Sequence, residues 1–105
     1  MSRTKRRPVC VGEMLKLEFL DPMGVTSKTL AEAMGVHRNT ISNLINGGTL
    51  TVPLAIKLSA ALGNTPEFWL NIQHAVDLWE ARNRYQDEAK LVKPLCSVQD
   101  IELRT

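Results

Sequence analysis

Apolar positions along this chain recur at three- and four-residue intervals, a pattern that predicts five helices and no long strand. Leu15 and Phe19, four apart, mark a first helix from about Gly12 to Asp21, with Pro22 ending it. A second starts after Thr26 or Ser27 as N-cap, buries Leu30, Ala31 and Met34, and stops at Gly35. The third lies in VHRNTISNLINGG, residues 36–48, with Val36, Ile41, Leu44 and Ile45 on one side and Gly47 and Gly48 closing it. The fourth has Thr51 as cap and Pro53 in its first turn, carries Ala55, Ile56, Leu58 and Leu62, and ends at Gly63. The fifth begins at Thr65 and Pro66 and runs to about Lys90, roughly 37 Å at about 1.5 Å per residue.

Two of these helices break the usual pattern of one apolar stripe and one charged face. In the first half of the fifth, Phe68, Trp69, Leu70, Ile72, Ala75, Val76, Leu78 and Trp79 spread around most of the circumference. A helix apolar on nearly every side needs cover on nearly every side. The expectation is a second subunit, with Trp69, Ile72, Val76 and Trp79 of this long helix in a dimer interface; the second half, EARNRYQDEAK, reads as solvated. The third helix is odd in another way. Its outer face holds Arg38, Asn39, Thr40, Ser42, Asn43 and Asn46, amides and hydroxyls that favour helix poorly, instead of mixed Glu and Lys.

Composition changes this picture little. The 105 residues allow one domain, expected over 9–90, between a basic arm over 1–8 and a tail over 91–105. Apolar runs are far too short to span a membrane, and no signal-peptide core follows MSRTKRRP, so cytoplasm is the expected compartment. Cys10 and Cys96 stand near opposite ends with no CxxC and no His at ligand spacing, which argues against a metal site; a disulfide joining the ends is the lesser reading, because two thiols in an intracellular chain are more often packing residues. The formal net charge of +2 is mild, but its distribution is not even. No Asp or Glu occurs between Ala33 and Pro66, while Arg3, Lys5, Arg6 and Arg7 crowd the N-terminus, so both stretches would tolerate a polyanion. That arm either lies along phosphate, folds onto a partner, or stays disordered as a short charged terminus.

The second and third helices together, SKTLAEAMGVHRNTISNLIN, meet the demands of a helix-turn-helix. Two steeply crossed helices need a small residue at contact, supplied by Ala31, and a left-handed turn residue, supplied by Gly35. Leu30, Met34, Val36, Ile41 and Leu44 fill the inner positions, though apolar positions alone would suit any helical hairpin. The outer face decides for DNA. In this motif the second helix enters the major groove, where Asn reads adenine, Arg reads guanine, and Ser or Thr meets bases or phosphates. Arg38, Asn39, Thr40, Ser42 and Asn43 are the candidate base readers. Ser27, Lys28, Asn46 and Thr51 are candidate phosphate contacts, for which plain caps or solvated side chains serve equally well. His37 and His74 lack metal-spaced partners, and Asp77 and Glu80, flanked by Arg82 and Arg84, read as a solvated ion-pair surface.

These residues bring a resemblance into view. GEML at 12–15, EFLDPMG at 18–24, LAEAMGVHRNTISNLING at 30–47 and GNTPEFWLNIQHAVDLW at 63–79 resemble the HigA (VapI-type) antitoxins of the Xre/Cro-like helix-turn-helix family. The likeness runs from Arg3 to about Lys93; it departs at Val11, where the family often has Pro, and fails to cover the end of the tail. It implies an all-α, five-helix, lambda-repressor-like domain with the motif at helices two and three. It also implies a homodimer that binds a palindromic operator in double-stranded DNA and partners a RelE-like, mRNA-cleaving toxin, HigB. No cofactor and no catalytic residue are expected. An orphan dimeric repressor without toxin shares the same DNA chemistry, and a small helical enzyme is the distant alternative, since the acid-free centre suits no metal-dependent nuclease.

Overall fold

The computed structural model describes residues 6–96, and every regular element among them is helical. Val11–Leu15, Lys16–Leu20 and Asp21–Met23 run on as one continuous helix, α1. Four more follow: α2 (Ser27–Met34), α3 (Arg38–Ile45), α4 (Val52–Leu62) and α5 (Pro66–Lys90). This is the expected five-helix, all-α architecture, with α2 and α3 as the helix-turn-helix. Arg3 and Lys5 of the basic arm, and the tail from 97 onward, lie outside the described residues.

The expected stop of the first helix at Pro22 needs correction. The helix continues to Met23 and is ended by Gly24, whose φ of 68° is left-handed. A proline inside a helix lacks the N–H and drives its ring against the carbonyl four residues back. Here Lys16–Leu20 form a π turn, in which the Asp21 N–H reaches the Lys16 carbonyl, and the wider turn relieves that clash. Pro22 then occupies the first turn of the closing α segment, where proline is tolerated.

Hydroxyls cap α2, α4 and α5 where their spacing predicts. Thr26, rather than Ser27, accepts from the Thr29 N–H at 3.1 Å; Thr51 accepts from Leu54 at 3.3 Å and Thr65 from Phe68 at 3.2 Å. At the start of α1 the Cys10 N–H donates to Glu13 Oε1 at 3.1 Å, and this bond holds the Glu13 carboxyl below the usual carboxylate range. Both cysteines are free thiols.

All five helices share one core, in which Leu15, Ile41, Ala55, Leu58 and Trp69 are completely buried. The π turn sets Phe19 of α1 against the start of α5, its ring 5.1 Å from Trp69, while Phe68 meets the same indole edge-on at 5.0 Å. The indole Nε1–H donates to Asn64 Oδ1 at 2.8 Å. The dimer-interface reading is therefore corrected for two residues: Trp69 is 0% exposed and Val76 is 4% exposed within a single protomer. Ile72 and Trp79 are half-buried, with Ile72 packed against the core. The second half of α5 is not uniformly polar either, because Leu78, Ala81, Tyr85 and Ala89 line one shallow apolar groove.

Gly12 fixes how α1 lies on α3. It is buried, and a Cβ there would fall within 2.5 Å of the Ile45 carbonyl oxygen and closer still to that of Leu44. Both obstacles are backbone, so neither can rotate away. Gly12→Ala is expected to lower stability by about 1–3 kcal/mol, as overpacking does, and the melting midpoint by roughly 4–8 °C for each kcal/mol. Thermal unfolding followed by circular dichroism checks this; an unchanged midpoint would mean that α1 can retreat without cost.

Candidate nucleic-acid interface

The turn between α2 and α3 is built by hydrogen bonds that end one helix and aim the next. With Gly35 at φ 71°, its N–H reaches the Glu32 carbonyl at 3.2 Å, and the Val36 N–H reaches that of Ala31 at 3.0 Å. This paired closure needs a left-handed residue, which explains glycine here. His37 then caps α3: its Nδ1 accepts from the Asn39 N–H at 3.0 Å, a role that places the ring proton on Nε2. His37 therefore acts as a cap, and it orients the N-terminal turn of the helix that carries the candidate base readers.

Ile41 and Leu44 turn inward with 0% and 2% exposure, which forces the polar residues of α3 outward. Arg38, Asn39, Asn43 and Asn46 are exposed, while Thr40 and Ser42 are half-buried on the flanks. Two hollows border this ridge. One is lined by Thr40 and Asn43 of α3, Gly48 and Thr49 of the following loop, and Thr51, Pro53 and Lys57 of the α4 start. The other collects Lys28, Ala31 and Glu32 of α2 with Val36, His37 and Arg38.

The structure therefore brings Thr40, Asn43 and Thr51 together on one side and Lys28 and Arg38 on the other. Asn39, Ser42 and Asn46 line neither hollow, and Asn46 forms the end of α3, its N–H on the Ser42 carbonyl at 3.0 Å. Ser27 occupies the first turn of α2 beside the capping Thr26, half-buried and outside both hollows. The Thr51 hydroxyl oxygen accepts the Leu54 N–H as a cap, which leaves its O–H free to donate.

Lys57, Thr49 and Glu32 belong to this surface although their place in sequence does not announce it. Lys57 had one signal: it and Arg38 are the two cations of the acid-free stretch from Ala33 to Pro66. Glu32 stands just outside that stretch, and the fold returns it to the side of Arg38. The described ion pairs are Arg7–Glu80 at 3.3 Å, Lys16–Asp21 at 3.0 Å and Lys90–Asp87 at 3.9 Å. Among the described residues, then, Lys28, Arg38 and Lys57 hold no carboxylate and can meet an external anion. Arg7 points elsewhere: its bond to Glu80 on α5 raises its pKa further and ties the described end of the arm to that helix. Glu80 is thus paired with Arg7 rather than with its neighbours on α5.

Comparison with known proteins agrees with this geometry. A family model described as "Helix-turn-helix" matches residues 17–70. Antitoxin HigA-1 of Vibrio cholerae is 83% identical over 95 residues, which cover 90% of each chain. Among solved structures, antitoxin GraA in complex with its operator superposes with a TM-score of 0.81 at 37% identity, covering 92% of this chain and 100% of that one. The Pseudomonas aeruginosa antitoxin HigA with the higBA promoter gives a TM-score of 0.80 at 26% identity, covering 86% and 100%.

Proposed function

This chain belongs to the HigA-type antitoxins of the helix-turn-helix family, and from that premise we propose that it represses its own promoter and neutralises a RelE-like toxin. The observation that carries the DNA reading is the outer face of α3, where exposed Arg38, Asn39 and Asn43 stand beside Lys28 and Lys57. Guanidinium and amide groups match guanine and adenine edges in the major groove. Threonines and lysines in the flanking hollows supply contacts to phosphate, which position the helix without reading sequence.

A recognition helix of eight residues reaches few base pairs. Two copies set about 34–36 Å apart read successive major grooves, so a two-fold dimer on a palindrome fits the chemistry. An apolar surface open to a second copy is the α5 groove of Leu78, Ala81, Tyr85 and Ala89, together with half-buried Trp79. The toxin reading rests on the 83% identity to a protein named as an antitoxin; GraA and the Pseudomonas protein are likewise antitoxins, found with operator or promoter DNA. No described helix is long and apolar enough to cross a membrane, and the action proposed belongs in the cytoplasm, with the DNA.

Two measurements test the proposal together. Anisotropy titration of a duplex from upstream of the gene should show tight binding that a scrambled duplex lacks. Co-expression with the adjacent reading frame should yield a stable complex of the two products and relieve that product's toxicity. Operator binding without any co-purifying toxin favours the orphan repressor; toxin binding without operator binding removes the repressor half.

A further inference from the structure

We infer that Gln73, far from the recognition helix in sequence, is a positioning residue for DNA binding: from α5 it fixes the loop that carries Thr49 and Thr51 toward the phosphate backbone. The inference rests on the DNA-binding reading above and adds to it a residue outside the helix-turn-helix.

The loop after α3 has four backbone donors with assigned partners. Asn46 N–H reaches Ser42 O at 3.0 Å, Gly47 N–H reaches Leu44 O at 3.2 Å, and Gly48 N–H reaches Asn43 O at 2.8 Å. All three are answered by the recognition helix itself. The fourth, Leu50 N–H, is answered by Gln73 Oε1 at 2.9 Å in a partly buried bond. Leu50 itself is 4% exposed and belongs to the core, so its backbone faces inward just where Thr49 and Thr51 face outward to the hollow beside Asn43 and Lys57. The front of the loop is pinned as well by the Gly48 N–H bond to Asn43, in an approach so close that a Cβ on Gly48 would meet the Asn43 carbonyl oxygen at 2.8 Å. Between these two anchors the loop has one height relative to α3.

The amide of Gln73 is itself oriented. Its Nε2 donates to Asp77 Oδ1, one turn on, at 2.8 Å. An ionised carboxylate only accepts, so Asp77 claims the NH2 end and leaves Oε1 for Leu50. A solvated surface of α5 thus becomes a two-bond strut, Asp77 to Gln73 to Leu50, that ends behind the DNA-facing loop. The contacts it positions are to phosphate, so its loss weakens binding to any duplex by a similar factor, unlike the loss of a base reader.

The test compares the full-length parent with Gln73→Leu, Gln73→Glu and the double variant Gln73→Glu with Asp77→Asn. Q73L keeps the volume and removes both bonds; about fivefold weaker binding per protomer is expected, by the same factor on the upstream duplex and on a scrambled duplex at low salt, as for the loss of one hydrogen bond of about average strength behind the loop. Q73E keeps an acceptor but sets two carboxylates together, and it should weaken binding similarly. The double variant restores both bonds with the second reversed, the amide introduced at position 77 donating to the carboxylate introduced at position 73, and should return to within about twofold of the parent. Binding is read well below each melting midpoint, and the Leu50 amide signal in a nitrogen-proton spectrum reports the bond directly. A merely structural role would lower the midpoint and leave the affinity of the folded protein unchanged. Parental affinity in Q73L overturns the inference while leaving the DNA reading in place, and so does a double variant no better than Q73E. If Q73L fails to fold, Q73E against its partner-swapped form decides. A parent that binds neither duplex overturns both readings.

Discussion

Replacing Arg38 and Asn43 together by Ala is expected to weaken binding to the upstream duplex by roughly thirtyfold to twenty-thousandfold for each half-site, since each good base contact is worth about 1–3 kcal/mol. The fold should not suffer. Both side chains are exposed on α3 and neither joins an ion pair among the described residues. Alanine is also the better helix former at both positions, and exposed substitutions of this kind usually change stability by less than about 0.5 kcal/mol. The discriminating control is Lys57→Ala. Losing a phosphate contact from each protomer should weaken specific and scrambled duplexes alike and lower the slope of log affinity against log salt by about two for the dimer. Losing Arg38 and Asn43 should instead collapse the difference between the two duplexes. Anisotropy titrations at two fixed salt concentrations separate these outcomes, and an unchanged specific affinity in the double variant would remove α3 as the reading element.

The parts of the fold that were legible in the sequence are those decided locally. Threonine at the entry to a helical run caps it locally, so the starts of α4 and α5 follow from Thr51 and Thr65, and that of α2 from Thr26 or Ser27, of which the structure uses Thr26. Glycine at the left-handed positions 35 and 63 ends two helices for an equally local reason. The course of α1 was not legible, because a proline reads as a stop unless the turn before it widens, and the widening goes with the packing of Phe19 on Trp69. The same contact hid the true place of Trp69. An apolar ring around α5 shows that cover is needed; it does not show whether α1 or another subunit provides it. Likewise Lys57 joins the candidate surface, and Gln73 the back of its loop, only through packing of α4 and α5, while residues on α3 itself could be assigned from helical phase alone.

Trp69→Ala is expected to lower protomer stability by about 3–5 kcal/mol, the usual cost of emptying a large aromatic site, out of a total of about 5–15 kcal/mol for a domain of this kind. The indole has 0% exposure, meets both Phe19 and Phe68, and spans the junction of α1 and α5. Its removal also leaves Asn64 Oδ1 without the Nε1–H that it accepts at 2.8 Å. Trp69→Phe should lie between the two, keeping most of the ring volume while losing that bond. Protein concentration separates this account from the interface reading. A residue buried between subunits, when truncated, yields folded monomers, and the loss in melting midpoint shrinks as concentration rises. A residue buried inside the protomer costs the same at every concentration. Thermal scans of Trp69→Ala at two concentrations about a hundredfold apart should show equal losses, whereas Tyr85→Ala, in the open α5 groove, should change the concentration dependence and leave the folded protomer intact. A loss for Trp69→Ala that shrinks as concentration rises would return Trp69 to the subunit interface, and an unchanged concentration dependence in Tyr85→Ala would leave the α5 groove without a role in assembly.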